Sequence, residues 1–151
     1  MKRHRTIIPL SHDHYDGLLM AQSIKKNFIK TKLGLSSIDE KIKFVINAYK
    51  TELIPHFNHE ELILFPLALG KDDELDAMIN DILEEHDKLH KAVVKISEGN
   101  LEQNLDNFGN LLETHIRKEE RIVFPKIEEI LGEELDILNG QIIAVKNSCK
   151  I

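Results

Sequence analysis

The chain has 151 residues, of which 42% are hydrophobic and 30% charged, and its formal net charge is −6. These values predict one soluble globular domain over residues 1–151. Because the charges are mixed and the balance is acidic, we expect neither nucleic acid nor an anionic membrane as a partner. No apolar run is long enough for a membrane span or a secretory signal. Cys149 is the only cysteine, so the sequence predicts a cytoplasmic protein without internal disulfides.

Apolar residues spaced three and four apart predict helices along the chain. The predicted helices cover residues 12–30, 38–69, 72–97 and 101–130. Ser11 is a candidate N-cap of the first helix, Ser37 begins a capping box before the second, and Pro55 should kink the second. No stretch alternates with a period of two. We therefore predict an all-α, up-down-up-down four-helix bundle over about residues 10–131, followed by a short C-terminal helix over about residues 133–147.

Residues 56–66 and 115–125 share one pattern, in which a histidine is followed four residues later by a glutamate pair and then by Phe-Pro. Positions i and i+4 of a helix lie on one face, one turn apart. Each copy therefore directs an imidazole and a carboxylate the same way. Two such copies that face each other in a bundle would form a metal site.

Seven polar residues interrupt the apolar seams of the predicted helices: His14, His56, Glu60, His86, His90, His115 and Glu119. An ionised carboxylate that is buried without a partner is very costly, and two facing carboxylates repel each other. A pair of divalent or trivalent cations bridged by Glu60 and Glu119 would remove both costs and hold neutral imidazoles inward. Nitrogen and oxygen donors without a thiolate suit iron or manganese and tolerate zinc.

The two halves of this predicted site are unequal, because His90 follows His86 by one turn whereas Leu18 holds the matching position after His14. One metal would receive three histidines, and the metal held by His14 and His56 would keep a position free. Leu18 would form an apolar wall beside that position, where a small molecule such as O₂ can bind. The alternative, in which Leu89 faces the core in place of His90, stays open.

Four segments together resemble the hemerythrin-like, or HHE cation-binding, domain family over roughly residues 9–131. They are Asp13-His14, His56-x-x-x-Glu60-Glu61, Glu85-His86 and His115-x-x-x-Glu119-Glu120, with a Phe-Pro pair after the second and the fourth. The resemblance implies a four-helix bundle around an oxo- or hydroxo-bridged di-iron centre. It implies an open iron on His14 and His56, a closed iron on His86, His90 and His115, and bridges from Glu60 and Glu119.

The fourth helix departs from the O₂-carrying members of that family. Their carboxylate lies five residues after the histidine, whereas this chain has glutamates at both +4 and +5, Glu119 and Glu120. Bacterial members use the +4 glutamate, so we favour Glu119 as the bridge and keep Glu120 as the alternative.

Three functions are compatible with such a centre. We favour a non-enzymatic protein that binds O₂ or another small diatomic ligand for storage or sensing, with two iron ions that zinc or manganese can replace. The second is a di-iron enzyme that reduces peroxide or nitric oxide, with Tyr15, Tyr49 or His59 as candidate proton donors. The third is an iron-homeostasis sensor, which would need a separate protein partner to receive its signal.

Overall fold

The computed structural model describes residues 2–25 and 37–145. In these ranges there are four long helices and no strand: α1 is Ile8–Ser23, α2 is residues 38–68, α3 is Asp73–Val94 and α4 is residues 101–131. They form a four-helix bundle, which confirms the predicted all-α class. No helix in the described part of the chain is long and apolar enough to cross a membrane.

Two apolar clusters fill the bundle and show how the helices run. The Phe124 cluster comprises Ile7, Leu10, Leu64, Phe65, Ala68, Leu75, Ile79, Ile82, Val123, Phe124, Ile127, Leu131, Leu135, Leu138 and Ile142. The Phe108 cluster comprises Met20, Ala21, Ile24, Ile42, Val45, Ala48, Leu53, Phe57, Leu89, Val93, Ile96, Leu105, Phe108, Leu112 and Ile116. Helices α1 and α3 run from the first cluster to the second, and α2 and α4 run back. The order is therefore up-down-up-down.

The start of α1 differs from the sequence prediction. The helix begins at Ile8 with Pro9 in its first turn, so Ser11 lies inside the helix and is not its N-cap. Proline suits a first turn because it has no N–H to leave unpaired there. The predicted extension of this helix to residue 30 falls largely on residues 26–36, which lie outside the described ranges. The Ser37 cap is confirmed, since its Oγ accepts a hydrogen bond from the backbone N–H of Glu40 at 3.1 Å.

Helices α2 and α4 contain three π-helical turns, each just before an X-Pro step. The turns are Tyr49–Leu53, Glu60–Leu64 and Glu119–Val123, and they precede Ile54-Pro55, Phe65-Pro66 and Phe124-Pro125. Proline cannot donate to the carbonyl four residues back. The residue before it instead donates five residues back, as the N–H of Phe65 does to the carbonyl of Glu60. The distortion predicted at Pro55 is thus a change of helical register, and it recurs at both Phe-Pro pairs.

Over residues 133–145 the C-terminal segment is less regular than the predicted helix over residues 133–147, whose last two residues lie outside the described ranges. A 3₁₀ helix spans Gly132–Leu138, followed by a turn and an irregular stretch. Gly132 and Gly140 have positive φ values of 52° and 83°, which end regular helix on either side of this segment. The irregular stretch packs back on the bundle, where Val145 is 3% exposed.

Candidate metal centre

Six of the seven predicted ligands meet in a buried layer between the two apolar clusters. These six inner residues are His14, His56, Glu60, His86, His115 and Glu119, and their exposed fractions lie between 0% and 4%. They form two groups with ligand atoms within 4.8 Å of one another: His14 and His56 with both glutamates, and His86 and His115 with the same two glutamates. Glu60 and Glu119 therefore belong to both groups.

The inward-facing atoms of this layer lack hydrogen-bond partners. This holds for the Nε2 atoms of all four histidines and for all four carboxylate oxygens of Glu60 and Glu119. The closest approach of each Nε2 to one of these oxygens ranges from 3.0 Å for His115 and Glu119 to 3.5 Å for His56 and Glu60. Metal bonds of about 2.1 Å at right angles put neighbouring ligand atoms about 3 Å apart. The spacing therefore fits atoms that share a cation.

Each inner histidine turns its Nδ1 atom outward to a carboxylate on a neighbouring helix. We call these four the outer carboxylates: Asp13 contacts His56 at 2.9 Å, and Glu61, Glu85 and Glu120 contact His86, His115 and His14 at 2.7 Å. The contacts run from α1 to α2, α2 to α3, α3 to α4 and α4 back to α1. A carboxylate that accepts from Nδ1–H leaves the Nε2 lone pair directed at the centre.

Three of the outer carboxylates have a further partner. Arg3 donates to Glu120 at 3.0 Å and Lys118 donates to Glu85 at 2.9 Å. The backbone N–H of Val145 donates to Asp13 at 2.8 Å. Segments at both ends of the described chain thus help to hold the histidines. Nothing in the sequence pattern pointed to the roles of Arg3 and Val145.

The electrostatics of the layer show what a cation would relieve. Burial and the nearby charge of Glu119 raise the pKa of Glu60 well above its usual value. Burial also acts to raise the pKa of Glu119, but the nearby positive charge of His115 outweighs it and holds this pKa well below its usual value. Burial lowers the pKa of His115, but the Glu119 and Glu85 carboxylates raise it to about 9. Two ionised glutamates are stable here together only with positive charge between them.

The structure does not bring His90 into either group. Leu89 is fully buried, whereas His90 is half-buried and its Nδ1 lies 2.5 Å from the hydroxyl of Tyr49. The ring of Phe57 stacks on His86 at 4.0 Å and lies 5.6 Å from the ring of His90. The observed arrangement therefore follows the alternative with Leu89 facing the core. In this arrangement the two groups have two histidines each.

A cavity of about 130 Å³ adjoins the layer at His14, His56 and His115. Its mostly apolar wall includes Met20, Phe44, Leu53, Phe57, Leu112, Ile116 and Val145, and Asp16 and Glu52 also line it. Leu18, the predicted wall residue, is not part of the lining. Tyr15, Tyr49 and His59 do not line it either, and Tyr15 is 68% exposed. The three candidate proton donors are therefore not placed at this cavity.

A four-helix bundle with a buried layer of histidines and carboxylates is typical of helical domains that bind cations. Residues 3–127 match the Hemerythrin HHE cation binding domain family. The chain belongs to this family, as the motifs in its sequence suggested, and it is a cation-binding domain. Searches of curated proteins and of solved structures found no match.

Proposed function

We propose that this domain holds two iron ions in a non-heme centre that binds O₂ or another small diatomic ligand. His14 and His56 would hold one ion, His86 and His115 the other, and Glu60 and Glu119 would bridge them. The observation that carries the proposal is the set of buried inward-facing atoms without partners, while every outward Nδ1 is occupied. When bound, such a metal pair supplies redox chemistry and free positions for a small ligand.

Iron is favoured by the family resemblance and by the donor set, which contains imidazoles and carboxylates but no thiolate. Each group offers four protein ligands. Four ligands complete a tetrahedral zinc site, whereas they leave positions free on a metal that prefers six. Zinc and manganese are therefore expected as substitutes that bind the same residues.

The cavity favours ligand binding on the side of His14 and His56. It is bounded by these two ligands, by His115 and by apolar side chains such as Leu53 and Ile116, whereas His86 does not line it. On the other side, Phe57 covers the ring of His86. A small apolar molecule such as O₂ partitions into such a space, so storage or sensing of O₂ is the role that we propose.

An optical spectrum of the reduced, iron-loaded protein tests this role directly. Air would be admitted and then removed, and the iron content would be assayed on the same sample. We expect charge-transfer bands that appear with air and vanish without it. Rapid oxidation that is not reversed when air is removed would contradict reversible O₂ binding.

A di-iron enzyme that reduces peroxide or nitric oxide is the second candidate. It is supported by the two groups of four protein ligands, which would leave positions free on each metal for a substrate. Its proton donor would be sought at the cavity, where Glu52 replaces the tyrosines as a candidate. In an enzyme, Glu52→Gln should slow turnover of peroxide or nitric oxide while leaving O₂ binding intact. Absence of turnover with both substrates would remove this candidate.

A further inference from the structure

Tyr49 and His90 form a polar pair that the proposed metal ligands do not use. The Tyr49 hydroxyl lies 2.5 Å from Nδ1 of His90, and both side chains are half-buried. Tyr49 is the first residue of the π-helical turn Tyr49–Leu53. Such turns are rare in helices and recur at functional sites. The other two π-helical turns in the described chain begin at Glu60 and Glu119, within the metal layer.

A continuous path of aromatic rings joins this pair to the metal layer. The ring centroids of Tyr49 and His90 are 5.5 Å apart, and those of His90 and Phe57 are 5.6 Å apart. Phe57 in turn stacks on His86 at 4.0 Å with an interplanar angle of 23°. Rings in van der Waals contact provide short steps for an electron, and the path ends on a side chain that faces the proposed cations.

The pair also satisfies the proton requirement for oxidation of a tyrosine. A phenol that loses an electron becomes a strong acid, so its oxidation is much easier where a base can take the proton. Neutral imidazole is such a base and a common proton shuttle. The carboxylate of Glu61 acts electrostatically on His90, and its negative charge would stabilise the imidazolium that results.

We infer that Tyr49 and His90 are a redox-active pair that supplies one electron to the metal centre. Tyr49 loses the electron, its O–H bond breaks, and the proton forms an N–H bond at Nδ1 of His90. The products are a neutral tyrosyl radical and an imidazolium, and return of the electron reverses both changes. The inference rests on the proposed function for its oxidant, which is a metal pair oxidised by peroxide or O₂.

A metal-free experiment tests the pair without relying on the metal. The chain has two tyrosines and no tryptophan, so Tyr15→Phe leaves Tyr49 as the only phenol. Flash oxidation by a ruthenium photosensitiser would be followed by the absorption of the tyrosyl radical. We expect His90→Phe to slow radical formation roughly a hundredfold, the lower end of what a positioned proton acceptor contributes. We also expect the solvent deuterium isotope effect to change.

The exposed Tyr15 provides a matched control. In a Tyr49→Phe background it should be oxidised at the same rate with or without His90. Equal rates of Tyr49 oxidation in the presence and absence of His90, in variants whose circular dichroism shows an intact bundle, would overturn the pair. Failure of Tyr49 to form any radical would overturn it as well.

An iron-loaded experiment tests delivery of the electron. Reduced protein would be mixed with hydrogen peroxide, freeze-quenched and examined by electron paramagnetic resonance, with bound iron assayed on the same samples. We expect a tyrosyl signal in Tyr15→Phe, none in Tyr49→Phe and a weaker one in His90→Phe. If the bound iron is oxidised and no tyrosyl radical forms, Tyr49 does not deliver an electron to the metal centre. Absence of bound iron would instead overturn the proposed function and with it the delivery of an electron to the metal. The flash experiment tests the redox role of Tyr49 and His90 independently of that result.

Discussion

The four outer carboxylates explain how single residues orient the candidate centre. Each is next in sequence to one of the six inner residues, yet contacts a histidine on a different helix, as Glu61 on α2 does with His86 on α3. Adjacent positions of a helix point about 100° apart, so one can face the core while the next reaches a neighbouring helix. In Glu60-Glu61, for example, the first residue directs a carboxylate into the layer and the second orients the ring of His86.

Loss of an outer carboxylate should weaken metal binding while the inner residues remain. We predict that Glu61→Ala lowers metal affinity about 10- to 100-fold, the usual effect of losing such a partner, because the His86 ring loses its orientation. Isothermal titration with Co²⁺ measures the change. Glu84→Ala on the exposed face of α3 is the matched control and should bind as the original chain does. Equal affinities in the two variants would contradict an orienting role for Glu61.

Metal binding should release protons at neutral pH. In the metal-free layer the pKa of Glu60 is raised well above its usual value and that of His115 is raised to about 9. His115 therefore holds a proton at pH 7 that it must lose to bind a cation, and the raised pKa of Glu60 acts in the same direction. Apparent metal affinity should then rise with pH up to about 9. Calorimetry in buffers of different ionisation enthalpy should show at least one proton released per chain, and zero release would contradict the protonation of this layer.

The inner histidines and glutamates could be predicted from sequence because each interrupts an apolar seam. His14, His56, His86 and His115 occupy seam positions where only a ligand or a hydrogen bond makes a buried imidazole tolerable. That these residues bind metal stays a prediction. The place of His90 could not be decided from spacing, since Leu89 and His90 both lie near the seam. The position of His90 depends on its contacts with Tyr49 and Phe57, which are distant from it in sequence.

At the scale of elements, the X-Pro steps shape the helices around the site. In α2 and α4 the π-helical turn begins at Glu60 or Glu119 and ends just before Phe-Pro. One extra residue in a turn rotates everything on one side of it relative to the other. The turn thus lets His56 and Glu60 face the layer while Leu64 and Phe65 pack in the Phe124 cluster.

Replacing the proline after a π-helical turn restores a backbone N–H and should disturb this arrangement. We predict that Pro125→Ala favours an ordinary α-helical turn, moves Glu119 relative to Val123 and lowers metal affinity by roughly tenfold, the scale at which ligand orientation acts. Pro9→Ala is the control, because Pro9 lies in the first turn of α1 and follows no π-helical turn. It should leave metal affinity unchanged. Affinity that is the same in both variants would contradict a role for Pro125 in the site.

The helices themselves could be predicted from periodicity, but their irregular parts could not. Proline signalled a distortion at Pro55, yet the choice between a kink and a π-helical turn depends on which side chains must face the core on either side. The C-terminal segment has no sustained period, and its position depends on single contacts such as the Val145 N–H to Asp13. Such contacts between distant residues leave no pattern in the sequence.

At the scale of the whole molecule, a polar layer divides the core into two apolar clusters. The bundle buries Glu60 and Glu119 completely without hydrogen-bond partners on their oxygens. Burying carboxyl groups that lack hydrogen-bond partners is costly, so the metal-free bundle is expected to be less stable than the metal-bound one. An iron-homeostasis sensor would use this difference, since occupancy would then control folding.

Replacement of both glutamates should separate stability from metal binding. We predict that Glu60→Leu/Glu119→Leu binds no metal, yet unfolds with a free energy about 1–4 kcal/mol higher than that of the metal-free original chain. The gain arises because apolar side chains do not carry the cost of buried charge. Urea denaturation of both metal-free proteins measures it. A double variant less stable than the metal-free original would show that the glutamates stabilise the bundle without a cation.

The dinuclear centre is tested most directly by X-ray absorption at the iron edge of the iron-loaded protein, with iron per chain assayed on the same sample. We predict two irons per chain, an iron–iron scattering peak, and about two imidazoles per iron, as the two groups of inner residues require. One iron per chain, or two without an iron–iron peak, would contradict a centre bridged by Glu60 and Glu119. A third imidazole on one iron, lost in His90→Phe, would contradict the exclusion of His90 from the site.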